Sequence, residues 1–294
     1  LSAAAVGGSR PALPPPSAGV AVTNHQERRM STSISTVEPY VLRADEAGVS
    51  TLTLNRGSQF NALSQAMIAA LQKELDAIAA DPALRVVVIA GAGKAFCAGH
   101  DLKEMRANHD QAFLQELFRS CGRMMMSLTR MPQPVIARVQ GIATAAGCQL
   151  VSMCDLAVAA DSARFATSGI NVGLFCATPA VGLSRNLGRK QALEMLLTGD
   201  FIDARTALQQ GLVNRVVASD ALDAEVGLLA RAILAKSSVA VGMGKQMFYR
   251  QLEMGLEAAY QYASEVMACN MMTEDAGEGI DAFIAKRQVS WKGR

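Results

Sequence analysis

Apolar and polar positions follow two alternating rhythms along the first two thirds of the chain. Residues 49–55 alternate like a half-buried strand, and residues 65–80 carry Met67, Ile68, Leu71, Leu75 and Ile78 at helical spacing. Residues 86–90 are an unbroken run of Val, Ile and Ala, which suits a strand covered on both faces. A helix is predicted over 111–128, a short strand over 135–137, a short helix over 144–153 and a strand over 156–159. Beyond Pro179 the spacing predicts helices over 189–197, 204–210, 221–235, 240–254 and 256–270, with a strand at 213–217 between them. Strands and helices in alternation predict a mostly parallel sheet with covering helices, so the chain reads as an α/β front part and a helical back part.

Residues 1–38 share neither rhythm. They are rich in Ala, Ser, Gly and Pro, include Pro14-Pro15-Pro16, and cannot bury enough apolar surface to fold. No apolar run with a cleavage site marks a secretory signal. Two readings stay open for this extension: a mitochondrial transit peptide, since its charges are mostly Arg, or upstream sequence before a start at Met30. The location follows the source, cytoplasm for a bacterial protein and mitochondrial matrix for a eukaryotic one.

Composition narrows the function classes. Of 294 residues, 28 are Lys or Arg and 26 Asp or Glu, and aromatics make up 5%. Near-neutral charge with few aromatics argues against a nucleic-acid surface. Half the residues are hydrophobic, enough for a sizeable core. The longest uncharged stretch, 165–184, is interrupted by Asn171, Pro179 and glycines, which is not a membrane span. Six cysteines without a C-x-x-C pair, and three histidines, predict buried reduced thiols and no metal site. The expected partner is a small molecule or another copy of the chain.

Two turns carry the candidate chemistry. Residues 95–105 (AFCAGHDLKEM) follow the buried strand, and residues 141–150 (GIATAAGCQL) follow the next one. Small residues leading into a helix leave backbone N–H groups unpaired, and two such donors aimed at one oxygen stabilise a developing oxyanion. Asp101 and Glu104 are expected to cap a helix, and Cys148 and Cys176 to be small core residues.

These turns resemble the enoyl-CoA hydratase/isomerase (crotonase) superfamily, together with residues 173–188, Leu54-Asn55-Arg56, Asn61-Ala62-Leu63, Leu197-Thr198-Gly199-Asp200 and residues 204–217 and 283–287. Gly99–Lys103, Ala143–Leu150 and Gly169–Cys176 resemble in particular the domain-containing protein 3 branch of that superfamily. The resemblance spans roughly 45–290, and an ordered set of motifs is far more specific than any one of them. It implies a ββα spiral core over 39–218 and a helical trimerisation region over 219–294, assembling as a homotrimer or a dimer of trimers. It implies an acyl-CoA thioester as partner, CoA being part of the substrate rather than a separate cofactor. The thioester oxygen would sit between the backbone N–H groups of His100 and Ala146, the imidazole of His100 being only an oriented group. Lys94, Phe96, Ala98 and Leu102 match the stretch that lies along the nucleotide, and Lys286 and Arg287 match a basic pair that reaches a neighbouring subunit's nucleotide. The two glutamates that hydratases of this superfamily use for water addition correspond to Gln149 and Gly169. Glutamine orients water without exchanging a proton, and glycine offers no side chain, so weak or atypical hydratase chemistry is expected. The alternative is a non-catalytic acyl-CoA binder or assembly subunit. Restoring glutamate at both positions is expected to raise hydration, provided φ at 169 admits a Cβ.

Overall fold

The computed structural model describes residues 38–294; the expectations for 1–37 lie outside the described residues. Pro39–Arg294 form one compact unit, and the change from sheet to helix near 218 falls inside it. The chain opens with an antiparallel hairpin, β1 (Val41–Glu46) and β2 (Val49–Leu54), followed by α1 (Gln65–Ala79). The Ser64 side chain caps α1 by accepting the Met67 N–H, and the helix buries the five apolar residues that its spacing singles out. Then comes β3 (Val86–Gly91), buried at every position, with the short β4 (Ala95–Cys97), α2 (Leu102–Ala107) and α3 (Gln111–Arg130). The unit recurs as β5 (Val135–Val139), β6 (Ile142–Thr144) and α4 (Ala146–Met153). It recurs again as β7 (Leu156–Ala160), β8 (Arg164–Ala166), a 3-10 turn at Ser168–Val172, α5 (Ala177–Asn186) and α6 (Arg189–Thr198).

Each ββα turn therefore contributes one strand to each of two sheets. One has six strands in the order β1-β2-β3-β5-β7-β10, closed by β10 (Arg215–Val217). The other has four in the order β4-β6-β8-β9, closed by β9 (Ile202–Asp203), which leads into α7 (Ala204–Gln210). Successive side chains of β3 point to opposite faces. Val87 and Ile89 enter the main core with Phe96, Met124 and Phe165, while Val86 and Val88 enter a second core beneath Leu222, Val226 and Ala230. The last three belong to α8 (Leu222–Leu234), which is followed by α9 (Ser238–Gln251), α10 (Leu256–Met271) and α11 (Glu274–Ile284). The architecture is the α/β ββα spiral with C-terminal helices that the resemblance implies.

One buried ion pair ties the helical region to the sheet. The Lys245 ammonium on α9 donates to Asp155 Oδ2 (2.6 Å), Leu128 O (2.6 Å) and Gln133 O (2.7 Å), and the same Asp155 oxygen accepts the Val135 N–H at 2.6 Å. All three ammonium donors have acceptors, which is what a cation removed from water requires.

Three sequence expectations are corrected. Thr144 ends β6 instead of opening a helix, because residues 142–144 pair in parallel with 164–166; α4 starts at Ala146. The strand expected at 213–217 is confined to Arg215–Val217. Cys269 is exposed on α10, unlike the five buried thiols, because that helix buries only Ala259. Among the described residues no single helix is long and apolar enough to cross a membrane.

Candidate active site

The two small-residue turns meet at the ends of β4 and β6. Leu63 and His100 form a parallel bridge: Leu63 N–H donates to Gly99 O (2.7 Å), and Asp101 N–H donates to Leu63 O (3.3 Å). A bridge of that pattern engages the residues on either side of His100, so the N–H of His100 itself faces away from residue 63. Ala146 opens α4, and its N–H has no acceptor one turn earlier. Gly99 stands between them at φ +91°; a Cβ there would lie 2.8 Å from the Ala145 Cβ and 3.1 Å from Ala146 N. Only glycine admits both that backbone angle and that approach.

Ala145 sets the direction of the α4 N-terminus. It lies at φ +51° and ψ −120°, a region that L residues rarely enter. The surrounding bonds hold it there: its N–H donates to Ala166 O on β8 (3.0 Å), and its carbonyl accepts the Gln149 N–H (3.0 Å).

A cavity of about 380 Å³ opens between the turns. It is lined by His100 and Ala146, by Leu102 and Met105 of α2, by Phe118 of α3, by Ser168 and Gly169, and by the run from Val172 to Pro179. None of the lining residues is Asp, Glu, Lys or Arg, so its walls carry no formal charge. A wider open groove of about 560 Å³ along α1 and α3 contains none of the candidate site residues. Among the described residues no three His, Cys, Asp or Glu side chains gather to hold a metal.

His100, Ala146, Gly169, Ala98 and Leu102 come together at this cavity. Gln149 is not among its lining residues; the side chain is buried, with Oε1 lacking a hydrogen-bond partner. Gly169 lines it but has no room to grow. A Cβ there would sit 2.6 Å from Leu174 O and 2.8 Å from Cys176 Sγ, although its φ lies outside the left-handed region. The obstacle to a side chain at 169 is thus space and not backbone angle. The Phe96 side chain is wholly buried in the main core, because β4 is covered on both faces, which leaves only its backbone for a nucleotide. Lys94 is exposed on the turn before β4. At the C-terminus Lys286 is exposed, and Arg287 is engaged by Glu278, with its two Nη atoms at 2.6 and 2.7 Å from the carboxylate.

The neighbouring polar groups are structural. Asp101 caps α2 by accepting the Lys103 and Glu104 N–H groups, and Glu104 accepts the Gln65 N–H at the start of α1. Burial pushes the Cys148 thiol up to about 12 and raises that of Cys176, so neither is a ready thiolate. Burial pushes His100 down to about 4, which leaves the imidazole neutral at pH 7. Sequence reasoning missed Phe118, whose helical periodicity marks it as one more half-covered aromatic, Ser168, which no motif distinguishes, and Thr178, which nothing sets apart within the 173–188 stretch.

A ββα spiral with two short helix-opening turns facing an apolar cavity is the architecture of one class of thioester-handling proteins. Residues 44–294 match enoyl-CoA hydratase/isomerase, and the chain belongs to that family. More particularly, it is 47% identical over 253 residues to the mitochondrial enoyl-CoA hydratase domain-containing protein 3 of Xenopus laevis, with 86% of each chain covered. It is also similar to the crystal structure of an enoyl-CoA hydratase from Mycobacterium smegmatis. There the TM-score is 0.85 at 58% identity, covering 86% of this chain and 99% of that one. Against human enoyl-CoA hydratase domain-containing protein 3 the TM-score is 0.84 at 43% identity, covering 86% and 100%.

Proposed function

We propose that this chain binds an acyl-CoA thioester with its carbonyl oxygen between the N–H groups of His100 and Ala146, and stabilises the thioester enolate. The observation that carries this reading is the pairing of these two turns, closed on each other at Gly99, over an uncharged apolar cavity. Each donor of such a pair is worth ~3–4 kcal/mol of barrier. Lys94, Ala98 and Leu102, the backbone of Phe96 and, from a neighbouring subunit, Lys286 and Arg287 would follow the nucleotide. Leu256, Tyr260, Phe283 and Ile284 are exposed on α10 and α11, apolar surface that favours a homotrimer or dimer of trimers. The names of the vertebrate relatives favour the mitochondrion if the source is eukaryotic.

Water addition is slow in this reading. Gln149 is an amide that exchanges no proton and is not among the lining residues, and position 169 presents no side chain, so neither supplies the acid and base that hydration needs. A binder without turnover is the second reading, favoured by the absence of any carboxylate from the lining. The deciding experiment measures turnover of a short 2-enoyl-CoA beside acyl-CoA affinity on one preparation. Binding with hydration several orders of magnitude below that of a two-glutamate hydratase is expected. Efficient hydration that survives Gln149→Ala would overturn the assignment of these positions.

A further inference from the structure

We propose that His100 is the proton-transfer residue of this cavity, removing a proton from the carbon next to the thioester carbonyl and returning it; the proposal rests on the thioester reading above. Among the described lining residues, no other side chain is a usable base at neutral pH. The Cys176 thiol is raised by burial, the Ser168 hydroxyl shares a 2.7 Å hydrogen bond with Thr144, and Thr178 is an unactivated alcohol. The imidazole makes no hydrogen bond to the protein, and its Nε2 is enclosed without a partner. Five glutamine Oε1 atoms among the described residues are likewise unpartnered, and of the six only the imidazole nitrogen belongs to a residue that lines the cavity, where a bound group can meet it. The ring is oriented by carbon contacts instead, edge-on to Phe118 at 5.2 Å between centroids and 87° between planes. Placement completes the argument. The residue whose N–H would hold the carbonyl oxygen also lines the cavity that would take the adjacent carbon.

The step balances without water, oxidant or metal. The C2–H bond breaks, its electron pair forms the C1=C2 bond of the enolate, and the carbonyl π pair moves onto the oxygen held by the two N–H groups. The proton joins an imidazole nitrogen. Imidazolium and enolate form together, and their attraction offsets the desolvation that keeps the resting ring neutral. The proton returns to C2, or to C4 when the chain carries a 3,4 double bond, which yields the conjugated 2-enoyl thioester. The substrate class is a neutral acyl-CoA with hydrogen on C2, because the lining holds no cation to receive a second carboxylate.

The test incubates the full chain with butanoyl-CoA in deuterium oxide, follows loss of the C2 proton signals by NMR, and titrates butanoyl-CoA affinity on the same protein. The expected result is exchange above the protein-free rate in the parent. His100→Ala should bind within a few-fold and exchange ~10²–10⁴-fold more slowly. Free imidazole should restore part of the exchange, which a packing role would not predict. His100→Gln serves the same comparison if the alanine variant does not fold. Parent protein that binds without exchanging, or variants that exchange as fast as the parent, overturn the role of His100. Failure of the parent to bind at all overturns the thioester reading itself.

Discussion

Acidification should weaken this fold through His100 specifically. Burial lowers the imidazole from 6.5 to about 4, so between those values the unfolded chain holds a proton that the folded chain does not. Stability rises with pH wherever the unfolded state binds more protons. The contribution is therefore fully present above 6.5, declines as pH falls through that value, and is gone near 4. At about 1.4 kcal/mol per pH unit the full window amounts to about 3 kcal/mol, of which about 2 kcal/mol should be lost between pH 7 and about pH 4.5. His100→Leu keeps an apolar body in the space and removes the titration. Urea unfolding followed by circular dichroism at both pH values, for parent and variant, isolates the effect because carboxylate contributions cancel in the difference. The parent should lose about 2 kcal/mol more than the variant. Equal losses would mean that the ring is solvated or already protonated in the folded state, and the neutral-base argument would fall with it.

Asp155→Asn should destabilise by about 3–5 kcal/mol, since it strands a buried ammonium, and adding Lys245→Met should recover part of the loss; additive costs in chemical denaturation would contradict the pairing. Ala146→Pro should abolish acyl-CoA binding with helix content unchanged, because the first helical position admits proline while its N–H disappears. Retained affinity in that variant would remove Ala146 from the site. Gly169→Ala should lower stability by about 1–3 kcal/mol through its clash with Leu174 O, and Gly169→Glu should not create hydratase activity even beside Gln149→Glu. Unchanged thermal midpoints, or a gain in hydration, would show that the turn at 170–175 yields easily.

Periodicity made the first sheet, apart from β1, and most helices legible. The five apolar residues of α1 and the unbroken run of β3 announce their surroundings directly, because burial on one or two faces leaves period 3.6 or no period at all. The second sheet was not legible. Strands β4, β6 and β8 have three residues each, too few to display alternation, and their existence depends on pairing with one another. The site was legible as two turns and illegible as a cavity. The two turns stood out by their small residues and Ala146 by the resemblance, but the burial of Phe96 depends on strands distant in sequence, and the crowding at Gly169 depends on how the turn to Leu174 and Cys176 folds back. The expectation that glutamates at 149 and 169 restore hydration counts residue types, and the Leu174 carbonyl that a Cβ at 169 would meet is invisible to such a count.

The spiral also fixes when the cavity can exist. Its walls come from three successive ββα turns, around residues 98–105, 145–146 and 168–179, and each turn pairs with the one made before it. During synthesis at ~5–20 residues per second, roughly 4–15 s separate the emergence of Met105 from that of Pro179. Until Pro179 emerges, Leu102, Met105 and, once it is made, Phe118 have no opposing wall from the third repeat. The nascent chain thus presents an unfinished apolar groove to whatever chaperone is nearby, and closes it only when the third repeat arrives.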